Sequence, residues 1–436
     1  MKPVNIGLLG LGTVGGGTVN VLGRNASEIA RRAGRAIQVT TACTRNPKAS
    51  RICDTSNISV TQDPLDVVRN PEIDIVVELM GGTDPAYQLV MEALDHGKHV
   101  VTANKMLIAL HGNEIFEKAQ KKGLMVAFEA AVAGGIPIIK AIREGLSGNK
   151  VEWIAGIING TCNFILTEMR DKGRDFQDVL AEAQALGYAE SDPTFDIEGV
   201  DAAHKLTILA SIAFGVPLQF DQVYIEGISD ITSMDVSYAE ALGYRIKLLG
   251  IAKHSQNGLE LRVHPTLIPE RRLIANVNGV MNAVLVKGDA VGPTLYYGAG
   301  AGAEPTASAV VADLVDVVRT LTSDPENRVP HLAFQPETIT KLPTVTIEKV
   351  KSAYYLRLSV ADQPGVLADI TRILADSSIS IEAIIQKEPP PGETQLPVIM
   401  LTHCVVEEEL NRAIHQIENL KTVGGSVKRI RVEPLG

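Results

Sequence analysis

An apolar run, Val4–Leu9, stops at Gly10-Leu11-Gly12-Thr13-Val14-Gly15, and an amphipathic stretch follows. A strand, G-x-G-x-x-G and a helix in that order confine the start of the chain to a βα unit with a tight phosphate-binding turn. Gly10 permits the turn, Gly12 lets backbone approach a diphosphate, and Gly15 lets the helix pack close to the strand. Leu11, Thr13 and Val14 complete the loop. Free N–H groups and the helix dipole favour an anion there. The other reading, a glycine-rich turn without a ligand, has the strand–turn–helix context against it.

The pattern repeats. Ile37–Cys43, Ile73–Leu79, His99–Thr102 and Leu124–Phe128 read as buried strands, rich in Val and Ile and without alternation. Val14–Arg32, Asp84–Asp95 and Asn113–Lys122 read as helices, with Gly97 and Gly123 at C-terminal cap positions. Repeated βα units predict an α/β, Rossmann-type doubly wound parallel sheet over residues 1–134. Residues 135–340 read as an α+β substrate-binding, catalytic and dimerisation domain. Its predicted helices are Ile136–Leu146, Phe164–Asp171, Phe176–Leu186, Gly199–Phe214 and Gly302–Arg319, and residues 300–320 are expected to pack back on the first domain. Its predicted strands are Val151–Ile158, Leu259–Pro265 and Ala283–Lys287. A Pro- and Thr-containing stretch, Gln335–Val350, contains the linker, placed at 341–350. Residues 351–436 read as a ferredoxin-like βαββαβ unit: Tyr354–Ala361, Gly365–Ala375, Ile379–Lys387, Leu396–Cys404, Glu407–Glu418 and Val427–Val432, with the middle strands joined through Pro389-Pro390-Pro391-Gly392.

With 436 residues, 45% of them hydrophobic, the chain has ample material for cores. A net charge of −10 and 4% aromatic residues argue against a nucleic-acid partner. Cys43, Cys53, Cys162 and Cys404 form no Cys-x-x-Cys pair and no zinc spacing, so reduced thiols and a cytoplasmic location are expected. No apolar run reaches the roughly 18 residues of a membrane helix. Lys2 and Ile6–Val14 faintly mimic a signal peptide, but glycines interrupt the apolar part, and a first strand entering a loop explains the same residues.

The second strand ends in Ala42-Cys43-Thr44-Arg45-Asn46-Pro47-Lys48. It lacks the acid that binds a ribose 2′-hydroxyl in NAD enzymes. Arg45 and Lys48 read either as partners of a 2′-phosphate, which favours NADP, or as solvated loop cations. Thr102-Ala103-Asn104-Lys105 follows the carboxyl end of a parallel strand, the edge where ligands bind in open α/β sheets. Gly187-Tyr188-Ala189-Glu190-Ser191-Asp192-Pro193-Thr194-Phe195-Asp196 is a carboxylate-rich loop entering a helix with Asp201 and Lys205 on one face. An exposed salt bridge is the plain reading of that pair. Lys205, however, opens the apolar stretch Leu206–Phe214, which suits an active-site wall or a domain seam. There Glu190 and Asp196 would hold an ammonium group, Asp201 would orient Lys205, and Lys205 would handle a proton.

Gly187 through Lys205 resembles the signature of homoserine dehydrogenase. Asn159-Gly160-Thr161, Thr102–Lys105, the Glu129–Pro137 loop and Gly298–Gly302 are similar to the same family, over residues 1 to 340. Asp362-Gln363-Pro364-Gly365-Val366-Leu367-Ala368 resembles an ACT regulatory domain. With no aspartate kinase segment in the sequence, the monofunctional, ACT-tailed bacterial form is expected. The resemblance implies reversible NAD(P)H reduction of L-aspartate 4-semialdehyde to L-homoserine. It implies Lys205 as proton donor, Lys105 touching cofactor and substrate, and Glu190 as substrate ligand, with Asp192, Asp196, Asp201, Gly160 and Thr161 in the same region. It implies cofactor contacts at Thr102 and Gly302. It also implies a monovalent cation, Na or K, on a Glu129 oxygen and the carbonyls of Val132, Gly134 and Ile136. Asp362, Gly365, Val366 and Leu367 would bind an amino-acid effector, with threonine expected, and a homodimer or homotetramer would follow. Two rival readings remain: an aspartate-dehydrogenase-type enzyme acting at carbon–nitrogen, and a non-catalytic dinucleotide and amino-acid sensor. Neither needs the Glu190–Lys205 block.

Overall fold

The computed structural model describes residues 2–325, 328–386 and 395–435. The chain forms two units: Met1–Gly160, Asp201–Val223 and Val280–Leu342 in the first, and Thr161–Val200, Tyr224–Gly279 and Pro343–Gly436 in the second.

The first unit holds a six-stranded parallel sheet. Across it run Ser59–Thr61, Ile37–Cys43, Val4–Leu9, Ile75–Glu78, His99–Thr102 and Val126–Ala127. This is the 3-2-1-4-5-6 order of a Rossmann-type sheet. Every residue of Ile75–Glu78 and His99–Thr102 is buried, which is why these runs do not alternate. The strand order reverses between Val4–Leu9 and Ile75–Glu78, so the ligand crevice of this sheet opens at their carboxyl ends. On the sheet packs helix Ala303–Thr320, whose Val310, Leu314 and Val317 share a core with Ile6, Leu8, Val77 and Val101. It approaches helix Thr13–Arg24 so closely that a Cβ on Gly17 would stand 2.4 Å from the Ala303 carbonyl oxygen. The unit also contains antiparallel strands Val151–Ile157, Met281–Gly288 and Gly292–Ala299, with Met281–Gly288 in the middle. Helix Val200–Phe214 is buried from Asp201 through Ala213.

In the second unit, helices Gly160–Lys172 (from Thr161 on) and Phe176–Ala185 accompany the hairpin Tyr244–Ser255/Gly258–Pro269 and helix Ser233–Ala241. The C-terminal part is a βαββαβ unit: Lys351–Ala361, Val366–Asp376, Ile381–Gln386, Gln395–Thr402, Glu407–Glu418 and Val423–Val432. Its last strand pairs with its first, and also runs parallel to the hairpin through Thr266↔Arg431 and Leu267↔Val432. The chain leading into it is itself paired, with Leu259 N donating to Pro343 O and Val345 N to Leu259 O.

Some elements differ from expectation. The helix expected over Val14–Arg32 is two, Thr13–Arg24 and Ala26–Ala33, because Asn25 leaves helical geometry (φ −107°, ψ 18°). The helix expected over Ile136–Leu146 is a short turn, Ile138–Lys140, followed by a wider turn, Ala141–Gly145. Helix Ser233–Ala241 and strands Tyr244–Ser255 and Gly292–Ala299 lie where none was expected. Ile246–Ala252 is buried on both faces, so it shows no period-two signal. Pro389-Pro390-Pro391-Gly392 lies outside the described residues.

The edge strand Val126–Ala127 is held by histidines. Met125 N donates to His99 Nδ1 (2.9 Å) and Val126 N to His331 Nε2 (3.1 Å), whose ring stacks on Phe116. Burial pushes both rings down to about 4, with Arg328 adding to the effect at His99 and Arg143 and Arg328 at His331. The fold therefore prefers them neutral, while an unfolded chain takes up protons below about 6.5. Their stabilisation is complete above about pH 6.5 and is lost as pH falls towards 4, with a slope approaching ~1.4 kcal/mol per pH unit for each ring. Thermal melts at pH 7, 6 and 5 should show a falling Tm, and His99→Gln should flatten the profile. An unchanged profile would remove His99 from this role.

Candidate active site

The glycine loop stands at the crevice of the first sheet. Gly10 has φ 104°, and a Cβ there would stand 2.8 Å from the Leu79 carbonyl oxygen. A Cβ on Gly15 would lie 2.3 Å from the Gly10 oxygen, while nothing lies within 4 Å of the Cβ position of Gly12. Gly12 is the N-cap of helix Thr13–Arg24, whose first turn carries no acidic residue. That open, unshielded N-terminus fits a diphosphate. Gly10 N donates to Cys43 O, tying the loop to the end of the second strand. Arg45 and Lys48 lie exposed beyond that strand. The cation nearer the loop is Arg51, which the sequence reading missed. Its guanidinium donates to the carbonyls of Leu11 and Asn46 and to Thr44 Oγ1. Gly302, at φ 127°, caps helix Ala303–Thr320.

A ring of hydrogen bonds continues along the crevice. Glu78 is buried at the end of its strand. Its Oε2 accepts from Thr102 Oγ1 (2.7 Å), and its Oε1 accepts from Met80 N (2.8 Å) and Gly81 N. Burial pushes this carboxyl up against the pull of those donors. Thr102 Oγ1 accepts from Asn104 N, and Asn104 donates to Gly82 O while its Oδ1 caps the helix at Leu107 N. Helix Lys105–Lys121 therefore starts from a fixed point, with Lys105 as its first residue. Glu78 was also missed; its signal is a carboxylate closing an otherwise apolar strand.

From that start Lys105 Nζ reaches Asp201 Oδ1 at 2.7 Å. Asp201 Oδ2 accepts from Lys205 Nζ (2.6 Å) and from Asn159 Nδ2 (2.9 Å), and Lys205 Nζ also donates to Ile158 O (2.7 Å). Three expected residues, Lys105, Asp201 and Lys205, thus meet in one cluster. Asp201 is 2% exposed, Lys205 11% and Lys105 35%, so Lys105 is the more open amine. Burial pushes the Asp201 carboxyl up, but the ammoniums of Lys205 and then Lys105 override it and hold the carboxyl well below the usual range. His204, stacked on Phe220, is pushed down to about 4 by burial and is neutral at pH 7.

Other expected residues are placed as follows. In the second unit Glu190 and Asp192 are exposed and Asp196 half-buried. Asp192 Oδ1 accepts from Thr194 N, just ahead of the turn Thr194–Ile197. Thr161 Oγ1 donates to Tyr188 O at 2.6 Å. In the first unit a Cβ on Gly160 would meet the Val280 carbonyl oxygen at 2.7 Å. Glu129 is buried, and its carboxylate accepts from Ile139 N (2.9 Å) and Lys140 N (2.8 Å). Asp313 accepts from Glu129 N and is pushed up to about 7 by burial and by the Glu129 charge. Ala133 and Gly134 take positive φ, leaving the Val132–Ile136 loop irregular. Among the described residues no group of His, Cys, Asp or Glu side chains forms a metal cluster. Each Glu129 carboxylate oxygen already accepts a backbone N–H. In the C-terminal unit Asp362 is exposed, Gly365 is the left-handed N-cap of helix Val366–Asp376, Val366 is in the core and Leu367 is half-buried. No described helix is long and apolar enough to cross a membrane.

Comparison with known proteins matches residues 10–129 to the NAD-binding domain of homoserine dehydrogenase, 137–315 to homoserine dehydrogenase and 354–419 to the ACT domain. The homoserine dehydrogenase of Pseudomonas aeruginosa is 67% identical over 435 residues, covering 100% of both chains. That of Neisseria gonorrhoeae is 56% identical over 436 residues, again covering 100% of both. A solved homoserine dehydrogenase from Thiobacillus denitrificans superposes with a TM-score of 0.96 at 67% identity, covering 100% of this chain and 99% of that one. Two-thirds identity over the full length, with family matches along the chain, shows that the chain belongs to the homoserine dehydrogenase family of NAD(P)-dependent oxidoreductases.

Proposed function

We propose that the chain reversibly reduces L-aspartate 4-semialdehyde to L-homoserine, with NADP favoured over NAD and Lys205 as the proton donor. It would act in the cytoplasm, in the synthesis of threonine, methionine and isoleucine from aspartate. The carrying observation is the buried Asp201 carboxylate shared by two lysine ammoniums. A nicotinamide cofactor with its diphosphate on the glycine loop would supply the hydride. Lys205 gives a proton to the carbonyl oxygen as negative charge builds there, and its own charge stabilises that oxygen. Asp201 positions both amines, and Lys105 contacts cofactor and substrate, with Thr102 and Gly302 beside the cofactor. Glu190, Asp192 and Asp196 take the substrate ammonium, with Gly160 and Thr161 adjacent. A sodium or potassium ion would be held by a Glu129 oxygen and the main-chain carbonyls of Val132, Gly134 and Ile136. We place the nucleotide domain at 1–134, the catalytic and dimerisation domain at 135–340, a linker at 341–350 and the regulatory domain at 351–436, in a homodimer or homotetramer.

Lys205→Ala should lower kcat by about 10²- to 10⁴-fold with a far smaller change in KM, since a proton donor acts mainly in the transition state. Steady-state rates with homoserine and NADP read this directly. If Lys205→Ala stays within a few-fold of wild type while Lys105→Ala collapses kcat, the donor is Lys105.

Arg45→Ala should weaken NADP binding and leave NAD nearly untouched, because only NADP carries the 2′-phosphate. Equal losses for the two cofactors, measured by titration of protein fluorescence, would make Arg45 structural.

Threonine is the proposed effector, held with its carboxylate on the N–H groups at Gly365–Leu367 and its ammonium on Asp362. A coupling of about 1–3 kcal/mol corresponds to roughly a 5- to 150-fold change in substrate affinity. Calorimetry should show threonine binding to the intact chain and its loss in Asp362→Asn. A heat signal identical in both would refute this placement of the effector.

A further inference from the structure

We propose that Arg51 is a cofactor-selecting residue: its guanidinium is the receptor for the 2′-phosphate of NADP, and in the free protein it bridges the glycine loop and the second strand. The proposal rests on the NADP preference advanced above and names the group that produces it.

In a Rossmann-type sheet the diphosphate lies on the glycine loop and the adenosine ribose lies between that loop and the end of the second strand. Arg51 spans that gap. One end of its fork is on Leu11 O, inside the loop, and the other is on Thr44 Oγ1 and Asn46 O, just past strand Ile37–Cys43. These three partners are neutral oxygens. A guanidinium held only by neutral acceptors keeps its full charge for an incoming anion. Phosphate contacts of this kind are charge-assisted and stronger than bonds to carbonyls. The side chain is also held in place beforehand, so little rotamer freedom remains to be lost on binding. Arg45 and Lys48, by contrast, lie exposed beyond the strand, where a charge is well screened. No acidic residue in the stretch from Thr44 to Lys48 competes for the guanidinium. With NAD, the same guanidinium meets only a hydroxyl, so Arg51 discriminates between the two cofactors in addition to the more exposed Arg45.

The test uses the full chain and two nucleotide fragments, 2′,5′-ADP and 5′-AMP, titrated by calorimetry. These differ in the 2′-phosphate and report binding without turnover. Wild type should bind 2′,5′-ADP more tightly than 5′-AMP. Arg51→Gln should weaken 2′,5′-ADP by about 10- to 100-fold and change 5′-AMP by no more than about threefold. Arg51→Lys, which keeps the charge but not the planar fork, should recover part of the loss. Equal weakening of both fragments would overturn the proposal and leave Arg51 as a strut for the glycine loop. Unchanged binding of both would overturn it as well; if Arg45→Ala then removes the preference, selection lies with Arg45. A wild type that binds the two fragments equally well would instead sink the NADP preference itself. Melting curves of each variant, matched to wild type, ensure that a loss of binding is not a loss of fold.

Discussion

Asp201 is a carboxylate removed from water in the first turn of a buried, largely apolar helix. An isolated buried charge of that kind is costly enough that the group would neutralise. Two ammoniums and one carboxamide keep it charged, and they come from three separate places in the chain. Lys105 starts the helix after the fifth parallel strand, Asn159 and the Ile158 carbonyl follow strand Val151–Ile157, and Lys205 lies one turn along the same helix. The cluster joins the nucleotide-binding sheet to the helix carrying the acid. Removing Asp201 would take the counter-ion from the buried Lys205 ammonium, a loss that typically costs about 3–5 kcal/mol for a buried pair. The packing of this part of the first unit therefore rests on those few atoms.

The Glu78 ring serves that cluster from the other side. Lys105 can reach Asp201 only because its helix begins at a defined residue, and that start is set by Asn104. Asn104 is in turn held by Thr102 and the Gly82 carbonyl, and Thr102 by Glu78. Glu78 also gathers the N–H groups of Met80 and Gly81, in the turn beside the glycine loop. One buried carboxylate thus orders both the turn lining the crevice and the lysine behind it. A network of this sort rigidifies only when every member is satisfied.

In the second unit ionic anchors do comparable work. Asp235 is fully buried and receives Arg357 through two bonds, at 2.7 and 3.1 Å, besides Tyr355 OH and its own capping Thr232. Arg431 fills its guanidinium with Glu407 and Glu226 and lies over the Tyr224 ring. Both arginines belong to the C-terminal βαββαβ sheet, and both Asp235 and Glu226 belong to the part before it. That sheet also continues into the hairpin through the parallel pairing at Thr266 and Leu267. The C-terminal βαββαβ part is therefore joined to the segment before it, within the second unit, by backbone pairing and by charge.

The parallel sheet was legible because most of its strands are short Val- and Ile-rich runs and its turns need glycine, and local rules govern both. Val4–Leu9, Ile37–Cys43 and His99–Thr102 stand in the structure with the bounds read from the sequence. The i,i+4 spacing of Asp201 and Lys205 likewise fixed their shared face. The break at Asn25 and the strand Tyr244–Ser255 were not legible, since a single backbone departure and two-sided burial leave no periodic trace. Nor could the sequence supply Lys105 as the second partner of Asp201, or Arg51 as the bridge from Leu11 to Thr44. Residues 105 and 201, like 11 and 51, are far apart along the chain. Sequence pattern determined which residue types face inward within each element. Which charges meet was decided only by the tertiary fold, because desolvation selects partners by distance in space.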